Sequence, residues 1–513
     1  MLLNGLFGCS SQVHHTLPTS CRTICIAMVS VSKHVGHTEC VIIGSGLSGL
    51  CMAINLMQQD VSFLVLEKAD DLGGTWKENT YPGARCDIPQ SLYSFSFEPA
   101  AGSYTNQPEM YTYQRYVADK YKVAPYMRYK QEVVKAVYDD ATSQWTVYTA
   151  SGGEYSCQFL IPCAGQLHIP TIPNFQGRDC FKGPSFHTAQ WDHSVSHTNK
   201  RIGIIGSAAS AIQVVPEVAK VASQVEIFQR SPNYIMPYMF GYPWQMYIAQ
   251  SAAWINLLFR RLLFLLSETV FFGSIRGHWL WQPLFEWVCL SHMKFWILDL
   301  ELRKKLTPSF PIGAKRTLFS NLYYPALNRD NVHLNTNAID RITETGILDK
   351  TGTHTDLDVI VYATGFQSNP FLQGIDIQAR ETTLAQHWAP KGCHSYVGTM
   401  THGFPNLFFP YGPHTNIGHT SVLLVIEEQI DFICRAIKVA RKRGRRSIEV
   451  DRDTEMTFVD MVDKEMESMN FSKVDASWYI DKGRVTMNWS GNVADFRKAM
   501  AKVDWDRDFV FKS

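Results

Sequence analysis

Apolar residues in this chain gather into short runs that end at glycine, and apolar positions at helical spacing begin just beyond. Glu39-Cys40-Val41-Ile42-Ile43 is such a run, Gly44-Ser45-Gly46-Leu47-Ser48-Gly49 follows at once, and Met52, Leu56 and Met57 then fall on one helical face. The order predicted is strand, turn, helix. Ser62-Phe63-Leu64-Val65-Leu66-Glu67 predicts a second strand, closing on a carboxylate 18 residues beyond Gly49. The sequence repeats this plan: Arg201-Ile202-Gly203-Ile204-Ile205, then Gly206-Ser207-Ala208-Ala209-Ser210-Ala211, a helix from Ile212, and a strand Val225-Glu226-Ile227-Phe228.

Between the two units the pattern predicts a helix, a hairpin around Gln144 to Tyr148 and a strand from Phe159 that ends in a small-residue turn at Gly165. Ile169-Pro170 and Ile172-Pro173 break structure and mark a crossing between domains. A third strand-to-turn unit, Asp358 to Gly365, is expected to return the chain to the first domain, and a long helix is predicted from Ser421 to about Lys442. Residues 233 to 309 are aromatic-rich and helical, with Arg260, Arg261 and Glu268 on one face and Leu258, Leu262, Leu265 and Leu266 toward another. Two central arginines would each cost about 2.5 to 3.5 kcal/mol in a bilayer, so a buried helical subdomain is predicted in place of a membrane span, with membrane contact at most peripheral.

Length agrees with this division. At 513 residues the chain exceeds one comfortable core, since cores stop growing near roughly 250 to 300 residues. The expected fold is α/β: two Rossmann-like dinucleotide-binding domains, the first formed by residues 38–168 and 360–513 and the second by 169–359, with the helical insertion at about 233–309. Residues 1–37 are expected to form a disordered extension. They hold no acidic residue and carry Ser and Thr, as a targeting segment does, but lack its amphipathic Arg-rich helix. A net charge of +1 offers no field for nucleic acid. The cysteines lack the spacing of a redox pair or a zinc site, so no metal is expected, and a reduced, intracellular and cytoplasmic chain is the reading.

The glycines give the first unit its chemistry. Gly44 permits a sharp turn, Gly46 a close approach of backbone to a pyrophosphate, and Gly49 tight packing of helix on strand, while Glu67 stands where a ribose hydroxyl needs an acceptor. In the second unit Ala208 places a Cβ where a phosphate should come close, whereas Ala211 is a tolerated replacement. Its second strand ends in Gln229-Arg230-Ser231, a cation and a hydroxyl where the first unit has Glu67. This suits a 2′-phosphate, hence NADPH over NADH. Gly73-Gly74-Thr75-Trp76 and Tyr81-Pro82-Gly83-Ala84-Arg85-Cys86-Asp87 form a long polar and aromatic loop of the kind that serves a site, and Lys315-Arg316 are two adjacent cations in a loop.

The stretch between the two turns carries Phe181, Gly183, His187, Trp191 and Asp192 at a fixed spacing. It resembles the signature of type I Baeyer–Villiger monooxygenases; related flavin-containing monooxygenases that oxidise nitrogen or sulfur have a similar motif but usually lack its Trp-Asp ending. A second family signature is matched at Gly74, Trp76, Tyr81, Pro82, Gly83 and Asp87, and the resemblance extends through Lys315-Arg316, Ala363-Thr364-Gly365 and Trp478-Tyr479. It implies FAD in the first unit, with Thr75, Trp76, Thr364 and Gly365 among the cofactor contacts, and NADPH in the second, on Gly206, Ser207, Ala208, Ala211, Arg230, Ser231 and Lys315. It implies that Arg316 steadies a negatively charged peroxyflavin, that Asp87 positions Arg316, and that the signature stretch is a conformational joint in which His187 transfers no proton. The substrate implied is a ketone, expected to be apolar from the aromatic insertion, with O2 as co-substrate. Three positions depart from the family pattern: Ala208, Cys163-Ala164-Gly165 in place of Ala-Thr-Gly, and His414 in place of an asparagine. The alternatives are an oxygenase acting on nitrogen or sulfur, a disulfide reductase, for which the cysteine pair is missing, and a non-enzymatic flavoprotein.

Overall fold

In the computed structural model, residues 33–100, 106–238, 253–475 and 477–513 are described. Residues 1–32 of the expected extension and 239–252 of the insertion lie outside them.

Two sheets organise the chain. The first has eight strands in the order Thr382–Thr383, Asp376–Ala379, Val133–Asp139, Gln144–Thr149, Gly153–Pro162, Lys33–Ile43, Phe63–Leu66, Met127–Arg128. Its inner part is parallel, Lys33–Ile43 lying between Gly153–Pro162 and Phe63–Leu66, and the predicted hairpin extends it antiparallel. Cys40, Val41 and Ile42 are fully buried, as a strand covered on both faces requires. The strand begins at Lys33, opposite Gly153, so residues 33–37, expected in the extension, belong to this sheet.

The second sheet is wholly parallel, ordered Val332–Asn335, Gln224–Phe228, Arg201–Ile205, Val359–Tyr362, Ser185–His187. Here the expected boundary at residue 360 is corrected. Val359–Tyr362 does not return to the first sheet but sits in the second, between Arg201–Ile205 and the signature strand. All four of its residues are buried, which is the pattern of a central parallel strand. The return comes just after it: Thr171 N donates to Gly365 O at 2.8 Å, Gln367 N to Ile169 O at 2.8 Å, and Pro170 bridges Phe366 antiparallel. The outgoing and returning crossings are thus hydrogen-bonded to each other.

The insertion also departs from expectation. Leu258, Leu262, Leu265 and Leu266 face outward at 60%, 51%, 59% and 41% exposure, while Arg260 and Glu268 turn inward. The inward polar groups are stable there because each has partners: Arg260 donates to the Ser91 carbonyl, and Glu268 accepts from His419 and from the amides of Val493 and Ala494. No described helix is long and apolar enough to cross a membrane.

Candidate active site

The first glycine turn is built as its residues dictate. Gly44 has φ +97°, and a Cβ there would stand 2.9 Å from the Cys163 carbonyl oxygen; a Cβ on Gly49 would meet the Gly44 oxygen at 1.9 Å. Around Gly46 there is room. It is the N-cap of helix Leu47–Gln58, no side chain caps it, and an added Cβ would approach nothing nearer than the Gly74 Cα at 3.7 Å. By contrast Asn106, Asp299, Thr383, Asp451 and Asn492 cap their helices with side chains. Helix amides left free beside an open glycine fit the phosphates of a dinucleotide. Glu67 is buried and holds the turn: Oε2 accepts from Ser45 N at 2.8 Å and Ser45 Oγ at 2.7 Å, and Oε1 from Ala69 N at 2.9 Å. Its remaining lone pairs are what a ribose hydroxyl would use. Gly74, at φ +50°, brings Thr75 and Trp76 against this turn, and Trp76 Nε1 donates to Tyr93 Oη at 3.4 Å.

The second turn is similar with one substitution. Gly206 has φ +121°, with the Ala363 oxygen 2.3 Å from an added Cβ, and Ala211 is fully buried. Ala208 caps helix Ala209–Val218 without a side-chain bond, at φ −92° and ψ −161°, an extended conformation open to any residue. Its methyl therefore costs nothing in the backbone and can only crowd a ligand. We expect Ala208→Gly to tighten NADPH binding by a few-fold or leave it unchanged in an anaerobic titration; weaker binding would contradict the crowding argument.

Beyond this turn lies a cationic cluster. Lys315 Nζ donates to Ser231 Oγ at 2.9 Å and sits 4.7 Å over the Phe310 ring, and Ser207 Oγ donates to the Ser231 carbonyl at 3.0 Å. Burial, and then the nearby Arg230 charge, push the Lys315 ammonium below its ordinary range. Neither Lys315 nor Arg230 pairs with a described carboxylate, so an added anion would relieve the repulsion.

Arg316 reaches from the second domain to the first. Its Nη2 donates to Asp87 Oδ1 at 2.6 Å and Oδ2 at 2.8 Å, and its Nε to Oδ2 at 3.2 Å. Protein surrounds the guanidinium on most sides, yet its side chain remains 39% exposed, so it can still be approached. The Asp87 charge raises the Arg316 pKa above its ordinary value, outweighing the opposing effect of burial. Arg85, which sequence could pair with Asp87, instead donates from Nε to the Gly83 carbonyl.

Other contacts across the two domains could not be read from the sequence. Tyr81 Oη donates to Gln213 Oε1 at 2.9 Å, Gln213 Nε2 to the Arg85 carbonyl at 3.1 Å, and a Cβ on Gly83 would stand 2.4 Å from the Gln213 carbonyl oxygen. Thr80 Oγ1 and His193 Nε2 lie 2.8 Å apart. The motif glycine Gly83 was the available signal, but nothing in the sequence named its partner.

The signature residues divide between packing and linkage. A Cβ on Gly183 would meet the Asp358 oxygen at 2.4 Å and the Phe181 ring at 2.8 Å; Trp191 stacks on His197 at 5.0 Å; Asp192 Oδ1 accepts from Ser194 N at 2.9 Å and Ser194 Oγ at 2.6 Å. His187 is fully buried, its Nδ1 accepts from Ala189 N at 3.1 Å, and its ring meets Phe366 in the return crossing at 5.4 Å. Burial lowers its pKa. Thr364 donates to the Thr171 carbonyl, tying the crossings, and Gly365 follows at φ +81° with open space beside it. We expect His187→Ala to retain flavin while less of its NADPH oxidation yields product, measured as NADPH consumed per product; loss of flavin would make the residue purely structural.

His414 is fully buried with no hydrogen-bond partner on either nitrogen among the described residues, and burial pushes its pKa down to about 3. His387, His394 and Glu455 lie close enough to hold an ion, but Glu455 already accepts from His394 Nδ1 (2.9 Å), Thr401 Oγ1 (2.8 Å) and His402 N (2.7 Å), which reads as a hydrogen-bonded core network.

Residues 37–390 match the flavin-binding monooxygenase-like family. A Baeyer-Villiger monooxygenase of Pseudomonas aeruginosa is 34% identical, over 94% of this chain and 93% of its own. The chain belongs to the Baeyer–Villiger branch of that family. An FAD-binding monooxygenase of Aspergillus niger, ktnD, is 35% identical to this branch member over 94% of the chain and 84% of its own length. Among solved structures, a steroid monooxygenase bound to NADP superposes with a TM-score of 0.81 at 30% identity, covering 93% of this chain and all of that one. A cyclohexanone monooxygenase in a closed form gives 0.83 at 27% identity, over 93% and 99%.

Proposed function

We propose that this protein uses NADPH and O2 to insert one oxygen atom beside the carbonyl of a ketone, giving an ester or lactone. The observation that carries the reading is the bidentate Arg316–Asp87 pair spanning two dinucleotide folds, in a chain whose relatives include Baeyer–Villiger monooxygenases. FAD fits the first turn, where Gly46 leaves open space beside uncapped amides, and NADPH the second, where Lys315, Arg230 and Ser231 surround a place for a 2′-phosphate. When bound, these groups supply two electrons and the site at which O2 is activated; one oxygen atom enters product and the other leaves as water.

The residues of the chain do the rest. Arg316 presents fixed positive charge where reduced oxygen becomes anionic, and because a guanidinium keeps its proton it does not quench that anion, which a nucleophilic attack on a carbonyl requires. Asp87 fixes the plane of the guanidinium, so the charge is already aimed before reaction. The two sheets are the FAD and NADPH domains, and the signature strand at the edge of the second couples them through His187. Free thiols and the use of NADPH suit an intracellular, cytoplasmic setting.

The test is a panel of paired ketones and sulfides followed by mass for a gain of one oxygen. Ester or lactone from the ketones supports the reading. Sulfoxide alone would move the protein to the nitrogen- and sulfur-oxygenating branch.

A further inference from the structure

Helix Ala253–Leu266 is inside out. Its inward face presents Arg260, and Glu268 follows about two turns on, just past the helix end, both with the buried partners described above. Its outward stripe, at helical spacing, is Trp254, Leu257, Leu258, Leu262 and Leu265, exposed by 68%, 49%, 60%, 51% and 59%. A helix on a water-facing surface shows the opposite arrangement. The next long helix, Trp281–Trp296, repeats the feature: Trp279, Trp287, Phe295 and Leu298 in and around it are exposed by 78%, 65%, 74% and 78%. Scattered surface leucines are ordinary; two periodic stripes with several tryptophans mark an interaction surface.

Charge narrows what can cover it. Between Trp254 and Leu298 the exposed charged residues are Arg261, Arg276 and Lys294, all cationic; the exposed carboxylates just beyond are answered locally, Asp299 capping the next helix and Glu301 pairing with Lys304, with Lys305 exposed beside them. The two carboxylates of that span are committed elsewhere, Glu268 in the interior and Glu286 accepting from Ile312 N at 3.0 Å and Gln282 Nε2 at 3.1 Å. A second copy docked face to face would set these cations against themselves with no exposed carboxylate in the span to answer them. An anionic lipid surface answers them directly. Tryptophan suits the boundary between headgroup and acyl chain, and Arg261, within the leucine stripe, can extend its guanidinium to a phosphate while its stem stays among apolar groups.

We propose that this face of the insertion docks the protein on the surface of a bilayer containing anionic lipid, lying along it and not crossing it. The full-length, flavin-loaded protein would be floated with vesicles of phosphatidylcholine, with and without phosphatidylserine. The expected result is co-flotation with the mixed vesicles, at least about 10-fold weaker with phosphatidylcholine alone, and reduced by salt as the lipid charge is screened. The variant Leu258→Asn/Leu262→Asn/Leu265→Asn should lose flotation while keeping flavin, melting temperature and NADPH oxidation, since these side chains face away from the core; Arg261→Ala should weaken the preference for phosphatidylserine. Wild type that stays out of both vesicle fractions would overturn the proposal, as would a triple variant that floats like wild type. So would a concentration-dependent dimer by light scattering that the triple variant dissolves, which would give the face to a second copy.

Discussion

Arg316→Ala is expected to keep bound FAD and its reduction by NADPH while losing product formation by about 10²- to 10³-fold, the usual effect of removing one preorganised donor to a developing oxyanion. Flavin should survive because the residues proposed to hold that cofactor, Gly44, Gly46 and Gly49 in the turn and Glu67 bonded to it, make no bond to Arg316. Reduction should survive because the residues proposed to grip the 2′-phosphate are Lys315, Arg230 and Ser231, none of which Arg316 holds in place. NADPH oxidation should therefore continue, with its electrons leaving as hydrogen peroxide. Arg316→Lys separates charge from geometry: an ammonium keeps the charge but cannot make the two-point contact with Asp87, and an intermediate rate is expected. Asp87→Asn should fall between wild type and Arg316→Ala, because the guanidinium remains but loses its anionic anchor. The measurement is product per NADPH under air beside the anaerobic rate of flavin bleaching. If Arg316→Ala gave normal product at a normal rate, the role assigned to this pair would be wrong.

Replacing both Lys315 and Arg230 by alanine is expected to raise the KM for NADPH by about 10- to 100-fold, roughly the 1.5 to 3 kcal/mol of one charged hydrogen bond, with little change for NADH. The pH dependence follows from the lowered Lys315 pKa. Only its protonated form attracts a phosphate, so the preference for NADPH is present at low pH and declines as pH rises, at a pH below the ordinary lysine range. Lys315→Ala alone should flatten that decline. Equal losses for both nucleotides would show that the cluster grips something common to them and not the 2′-phosphate.

Both dinucleotide turns were legible in sequence because their physics is local: a strand, three small residues and a helix fix Gly44 and Gly206 whatever surrounds them. Arg316 and Asp87, 229 positions apart in sequence, were reachable only through family resemblance, since no periodicity links two loops. The strand Val359–Tyr362 was recognised as a strand but assigned to the wrong sheet, because a continuous buried run suits the centre of either. The leucines of 258 to 266 misled for a related reason. Periodicity showed that the helix has two faces, but which of them turns inward was decided by His419, Val493 and Ala494, contacts more than 150 positions away.

The paired crossings between the sheets limit how the molecule can move. Two unconnected strands would let one domain slide or spin against the other, whereas a short antiparallel ladder through Ile169, Thr171, Gly365 and Gln367 resists both, since either motion pulls its hydrogen bonds apart. Bending about a line along the ladder leaves those bonds intact. A turn about that line, like a door on its post, would have to release the Arg316–Asp87 and Tyr81–Gln213 bonds that latch the two domains, and Phe366, packed against His187, lies at the post itself.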